Sequence, residues 1–328
     1  MPSNQSPLGA LPARFRRERL LIVGCGDVGL RVARMQGRGT RLMALTSSPE
    51  RVPLLRAQGI TPLAGNLDDP RSLDRLAGLA TRVVHMAPPP GEGQAQWWRD
   101  PRTQALVRAL RRRGAPRSMA YGSTSGVYGD CGGAFVDESR PIAPSTPRAQ
   151  RRADAEALVR HLGRATSTRV SVLRIPGIYA PDRVGGTPRE RLLRGTPVLQ
   201  PQDDVFTNHI HADDLARATV AALWRGRTQR VYNVNDDSDL KMGDYFDLAA
   251  DLYGLPRPRR VARDIAQSEL PLMLLSFMSE SRRMVNRRLK QELRVRLRYP
   301  TPLEGLQPQA RDTAAVSGHT AGSPRPAF

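Results

Sequence analysis

Short apolar runs and amphipathic stretches alternate along most of this chain, and glycine, proline or a capping residue marks nearly every switch. "RLLIVGCG" (19–26) predicts a strand, and "DVGLRVARMQG" (27–37) the helix that follows it. "RLMALT" (41–46) is a second strand, then a helix over "SPERVPLLRAQG" (48–59), where Ser47 and Glu50 have capping-box spacing and Pro49 suits a first turn. "ITPLAG" (60–65) is a third strand and "DDPRSLDRLAG" (68–78) a helix capped by Asp69. "TRVVHMA" (81–87) and "SMAYGS" (118–123) are the fourth and fifth strands. A helix over "TPRAQRRADAEALVRHLG" (146–163) has Thr146 as its cap, Pro147 opening it and Gly163 closing it. "RVSVLRI" (169–175) is a sixth strand and "RVYNVN" (230–235) a later one.

Strands that are apolar at consecutive positions are buried on both faces, so this rhythm implies a parallel sheet covered by helices on both sides. The expected fold class is α/β, a doubly wound parallel sheet over residues 19–180 completed by about 205–235. Segments 181–204 and 236–305 fall outside the rhythm and predict a smaller, mostly helical region over the strand ends. Residues 1–18 read as a flexible arm and 306–328 as a disordered tail.

Composition adds mainly exclusions. The chain has 328 residues, 39% hydrophobic and 25% charged, enough for a large core. No run approaches the ~18 apolar residues of a membrane span. The first residues lack the charged, apolar, small order of a signal peptide. Cys25 and Cys131 are too few for a disulfide framework or metal cluster, so a cytoplasmic protein with reduced thiols and no metal is expected. The net charge of +20 raises a nucleic-acid hypothesis. It is carried almost wholly by arginine, Lys241 and Lys290 being the lysines, and is spread over the whole length without a recognition motif. Solvated surface, with no specific nucleic-acid or membrane partner, is the reading taken.

The candidate chemistry begins at "VGCGDVG". Gly24, Gly26 and Gly29 match the dinucleotide fingerprint: a tight turn, a close backbone approach to a pyrophosphate, and close helix–strand packing. Asp27 and Val28 open a helix whose free N–H groups point at the phosphates. At the end of the second strand, where an acidic residue would hold an NAD ribose, stand Thr46, Ser47 and Ser48, with Arg51 close behind. Hydroxyls and a guanidinium suit a 2′-phosphate, so NADP is favoured over NAD.

Three later blocks, "GSTSGVYGD" (122–130), "VLRIPGIYAP" (172–181) and "NHIHADDLARA" (208–218), resemble those of the extended short-chain dehydrogenase/reductases, the NAD-dependent epimerase/dehydratase group. "VVHMA" (83–87) is similar to that group's strand beside the adenine, and the resemblance runs from about 19 to 305. It implies a Rossmann-type sheet with a small C-terminal substrate region, and family members frequently dimerise through helices flanking the sheet. Carried over by position, Asn66 falls where the family has an aspartate reaching adenine, and Ala87 and Pro88 lie along the cofactor. Ser123 begins the active-site strand end, and Thr124 takes the catalytic Ser/Thr position. Pro176, Gly177 and Ile178 approach the nicotinamide, and Tyr128 packs or contacts a small-molecule substrate. His211, Asp213 and Asp214 brace the sheet and hinge.

Two departures resemble the family's atypical subgroup. The glycine motif is GxGxxG where extended members usually have GxxGxxG, and the tyrosine–lysine pair is missing, Arg148 and Arg152 standing in its place. Arginine stays protonated and cannot serve as acid or base. Both arginines, four residues apart on one helix, are candidates for holding a substrate carboxylate or phosphate, the alternative being a solvated face with Arg152 paired to Glu156. Two readings stay open: an NAD(P)-dependent oxidoreductase or epimerase/dehydratase-like enzyme on an unidentified carbonyl, alcohol or sugar-nucleotide substrate, or a catalytically silent NADP-binding sensor or scaffold. His85 and His209 are read as core or hinge histidines, and Trp97 and Trp98 as packing against a helix.

Overall fold

The computed structural model describes residues 17–91 and 96–307; the expected arm up to residue 16 and tail from 308 lie outside the described residues. Seven parallel strands form the central sheet: β1 (Arg19–Val23), β2 (Arg41–Thr46), β3 (Thr61–Ala64), β4 (Arg82–His85), β5 (Ser118–Thr124), β6 (Arg169–Ile175) and β7 (Arg230–Asn233). Their order is β7-β6-β5-β4-β1-β2-β3. The chain therefore leaves the β3 edge and returns beside β1, and the reversal opens a crevice at the carboxyl ends of β1 and β4.

Helices cover both faces: α1 (Asp27–Arg34), α2 (Val52–Ala57), α3 (Pro101–Arg111), α4 (Pro147–Thr166) and α5 (Ala212–Arg225). Alternation within each strand sorts the core into two layers. Leu20 and Ile22 of β1 pack with Val28 and Val32 of α1 and with Leu215 of α5. Leu21 and Val23 point the other way, to Leu106 of α3 and Val159 of α4. Two covered faces explain why the strands are apolar at consecutive positions.

Local chemistry moves some boundaries. Helix α4 runs three residues past Gly163, through Thr166, and ends on Ser167 at φ 58. Gly163 instead gives room to Gln229, since a Cβ there would meet its Nε2 at 1.8 Å. The capping box expected of Ser47 and Glu50 does not form. A 3-10 turn over Pro49–Arg51 precedes α2, with Ser48 at its N-cap and no side-chain cap bond. The stretch after Asp69 is likewise a 3-10 helix, Pro70–Leu76, although Asp69 does cap it by accepting from the Arg71 N–H at 3.1 Å. Thr146 caps α4 as expected, accepting from the Ala149 N–H at 3.2 Å.

Past the sheet, α6 (Met242–Tyr253) and shorter helices enclose a separate apolar cluster of Tyr179, Leu192, Val198, Tyr245, Phe246 and Met278. The region is less purely helical than its sequence predicts, because two-residue strand pairs such as Val198–Leu199 with Arg260–Val261 tie it together. Trp97 and Trp98 are partly exposed, edge to face with each other, rather than packed under a helix. Several arginines behind the high net charge are internal: Arg31, Arg82, Arg151, Arg152, Arg174 and Arg282 are each less than a tenth exposed. Among the described residues, no helix is long and apolar enough to cross a membrane, and no cluster of three metal-ligating side chains occurs.

Candidate functional site

The three glycines of the β1–α1 turn meet different surroundings. Gly24 sits at φ +83, and a Cβ there would lie 2.3 Å from the Ala87 nitrogen, so the turn can press against the end of β4 only without a side chain. Gly29 packs α1 onto β1, with Ile22 Cγ2 3.2 Å from its would-be Cβ. Gly26 faces open space, with nothing within 4 Å. It is also the N-cap of α1 and makes no side-chain cap bond, so the first-turn N–H groups are not capped by a side chain. A gap that a Cβ would fill, above uncapped amides, is the arrangement that lets a pyrophosphate approach a backbone.

Two clefts meet at this turn. One, of about 450 Å³, runs toward β2 and β3 and is lined by Gly24, Gly26, Thr46, Ser47, Ser48, Arg51, Asn66, Ala87 and Pro88. The other, of about 240 Å³, runs toward β5 and β6 and is lined by Gly24, Gly26, Asp27, Val28, Gly29, Ser123, Thr124, Arg148, Arg152, Pro176 and Ile178. The expected cofactor residues thus fall along one continuous crevice, apart from Gly177, whose strand Gly177–Tyr179 pairs with His209–His211.

In the larger cleft, Arg51 Nη2 donates to the Cys25 carbonyl at 2.6 Å and holds its guanidinium over the glycine turn. Asn66 Oδ1 accepts from the Asp68 N–H at 3.0 Å, so it already shapes its own loop. Asp68 and Arg102 were missed by sequence reasoning. They line the same cleft and form a two-pronged pair at 2.7 and 2.6 Å. Hydrogen bonding from Arg102 holds the Asp68 carboxyl below its ordinary pKa. The signal in "NLDDP" was faint, because Arg102 comes from α3, 34 residues on.

The smaller cleft departs further from expectation. Arg152 neither lies on a solvated face nor pairs with Glu156. It is buried, and its Nη1 donates to the Gly122 carbonyl at 2.7 Å, the Ala87 carbonyl at 3.3 Å and the Tyr121 hydroxyl at 3.2 Å. It is a strut between the ends of β4, β5 and α4. Glu156 belongs instead to Arg174 on β6, at 3.1 and 2.9 Å, and accepts from Ser123 Oγ at 2.6 Å. Ser123 therefore lines the cleft with its hydroxyl turned inward. Thr124 Oγ1 accepts from the Gly126 N–H at 3.3 Å and stays at the cleft surface.

Tyr128 is placed away from the cleft: it is 1% exposed, its hydroxyl donates to Asn233 Oδ1 at 2.7 Å, and Arg174 covers its ring. Burial raises its pKa above the usual phenol value. The smaller cleft is also lined by Arg183, whose Nη1 lies 3.7 Å from Asp27 Oδ2. Asp27 also pairs with Arg31, which binds Asp182 and Asp213 as well, so the acidic residue nearest the turn is neutralised.

His85, His209 and His211 have structural roles. His85 is buried against Thr103 Oγ1 at 2.9 Å, and burial, then the nearby Arg152 charge, pushes its pKa down to about 3. His209 stacks on Tyr245, and His211 caps α5.

A match to the NAD dependent epimerase/dehydratase family spans residues 21–235. A dTDP-glucose 4,6-dehydratase of Mycobacterium tuberculosis is 28% identical over 216 residues, 61% of this chain and 65% of that protein. The chain spans less than two thirds of the length of the curated relatives it matches. Among solved structures, a conserved protein of unknown function from Silicibacter pomeroyi is 30% identical with a TM-score of 0.73, covering 91% of this chain and 99% of that one. A UDP-glucuronic acid 4-epimerase from Bacillus cereus, in complex with NAD, shares the fold at 17% identity and a TM-score of 0.68, covering 88% and 96%.

Proposed function

The chain belongs to the NAD dependent epimerase/dehydratase family, and we propose that it binds a nicotinamide dinucleotide across the β1–α1 turn, NADP before NAD. The chemistry that fits is oxidoreductase or epimerase/dehydratase-like, on a small carbonyl, alcohol or sugar-nucleotide substrate. The observation that carries this reading is the open space at Gly26, where two clefts join over uncapped helix amides. The bound NAD of the Bacillus cereus epimerase supports it.

The larger cleft suits the adenosine half. No carboxylate stands at the end of β2; Thr46 Oγ1 is engaged with the Ser48 backbone at 3.2 Å and Nη2 of Arg51 with the Cys25 carbonyl, which leaves the rest of the guanidinium and the hydroxyls of Ser47 and Ser48 for a 2′-phosphate. In the smaller cleft, a bound nicotinamide would supply the hydride acceptor or donor. Thr124 would orient the substrate oxygen through its hydroxyl. The ionisable residues lining this cleft are Asp27, Arg148, Arg152 and Arg183; the arginines stay protonated, and Asp27 is paired with Arg31 at the glycine turn. With a nicotinamide bound to take the hydride, an alcohol held by Thr124 would release its hydroxyl proton to water in the open cleft.

The same lack of an acid favours a second reading, coenzyme binding without turnover. Calorimetry with both coenzymes tests the first step: NADP should bind about tenfold more tightly than NAD, and Arg51→Ala should erase that preference. Equal binding of the two would remove the NADP assignment, and no heat from either would remove the whole proposal. Reduced-coenzyme turnover with a carbonyl panel, lost in Thr124→Ala, supports the enzyme; tight binding with no turnover supports the sensor.

A further inference from the structure

We propose that Arg148 is a subsite for a carboxylate or phosphate carried by the substrate beside its reacting carbon, so that the protein acts on acids rather than neutral carbonyl compounds. The assignment rests on the coenzyme reading above for where the reacting carbon lies.

The four arginines around the smaller cleft have very different partners. Arg151 turns away to the Trp97 carbonyl at 2.9 Å. Arg152 is committed to the Gly122 and Ala87 carbonyls. Arg183 stands beside Asp27 at the glycine turn. Arg148 has no hydrogen bond or ion pair with any described residue, yet it lines the cleft. The charged residues of that lining are three arginines and Asp27, and Asp27 is shared with Arg31. The cleft therefore holds positive charge that the protein itself does not balance.

Position separates Arg148 from the pyrophosphate. It lies in the first turn of α4, which packs on the turn after Thr124: a Cβ on Gly126 would sit 3.7 Å from Ala149 Cβ and from Thr124 Oγ1. The glycine turn already has Arg183 and the α1 amides for phosphate. Arg148 is exposed at the edge of the cleft, and partial desolvation, then the charges of Arg152 and Arg151, draws its pKa below the ordinary guanidinium value. A guanidinium that cannot discharge by losing its proton is relieved by an anion, and its planar fork matches a carboxylate or phosphate. Arg148 and Thr124 line the same cleft of about 240 Å³, so an anion held by Arg148 lies beside the substrate oxygen that Thr124 orients.

The test is calorimetric titration of the full chain with malonate, inorganic phosphate and neutral malonamide, each with and without saturating NADPH. Malonate or phosphate should bind the wild type and malonamide should not. Arg148→Ala should weaken the anion at least about tenfold, with Arg148→Lys in between, while the NADPH affinity of both variants stays within about twofold. Malonamide binding as tightly as malonate to the wild type, which needs no variant to fold, overturns the proposal, as does an unchanged anion affinity in folded Arg148→Ala. Coenzyme binding without anion binding defeats this inference alone. Anion binding that depends on Arg148, without coenzyme binding, defeats the coenzyme reading and leaves the subsite standing.

Discussion

At the β2–β3 end of the crevice, Thr46, Ser47, Arg51 and Asn66 line the cleft that their spacing from the glycine turn predicts, with the side chains of Thr46, Arg51 and Asn66 bonded to nearby backbone. At the β5–β6 end, the residues with the strongest expected roles are occupied elsewhere: Arg152 braces two strand ends, Ser123 turns to Glu156, and Tyr128 is buried on Asn233. The first end presents hydroxyls and a guanidinium along its cleft. The second has been rebuilt around internal arginines, which leaves Thr124 and Arg148 to face the cleft. The family fold is thus kept while Arg152, Ser123 and Tyr128 at this end serve as internal braces.

The sharpest way to break this comparison is through the buried pair beneath the second end. The side chains of Glu156 and Arg174 are 4% and 5% exposed, and removing one partner strands the other charge. Glu156→Ala should destabilise the fold by about 3–5 kcal/mol, measured by urea unfolding. A loss below about 1 kcal/mol would mean that the pair is not the brace described. Next in size are two glycine variants that should behave oppositely. Gly26→Ala enters open space, so it should leave the melting temperature nearly unchanged and weaken coenzyme binding by about a hundredfold, ~2.7 kcal/mol. Gly24→Ala meets the Ala87 backbone and a positive φ, so it should lower apo-protein stability by about 2 kcal/mol or more. If Gly26→Ala binds coenzyme normally, the gap is not a phosphate site.

The smallest effect concerns pH. His85, beside Arg152, has its folded pKa depressed to about 3 against an ordinary value near 6.5. Its contribution is fully present above pH ~6.5 and is lost as pH falls toward ~3, amounting to about 2 kcal/mol near pH 5. His85→Gln should lose less stability than the wild type between pH 7 and pH 5 in parallel urea titrations. Identical slopes would show that His85 is not buried in its neutral form.

Much of this was legible in one dimension. The glycine turn, the succession of strands and helices and the hydroxyl-rich end of β2 are local, each set by a few neighbouring residues and a backbone geometry. Glu156 illustrates what was not. Helical spacing pointed to Arg152, four residues away, but the partner is Arg174, delivered by β6 from 18 residues on. Arg102 and Arg183 escaped notice for the same reason, since α3 and the segment after Gly177–Tyr179 bring them to the cleft from a distance.

By itself the sequence determined the parallel sheet, the phosphate-ready turn and the lack of a tyrosine–lysine pair, because hydrophobic period, glycine geometry and residue identity are properties of short segments. Only the tertiary structure decided which arginines are spent inside the protein and which one is left facing the cleft. A guanidinium reaches several ångströms from its backbone, and burial rewards whichever oxygen the fold brings within that reach.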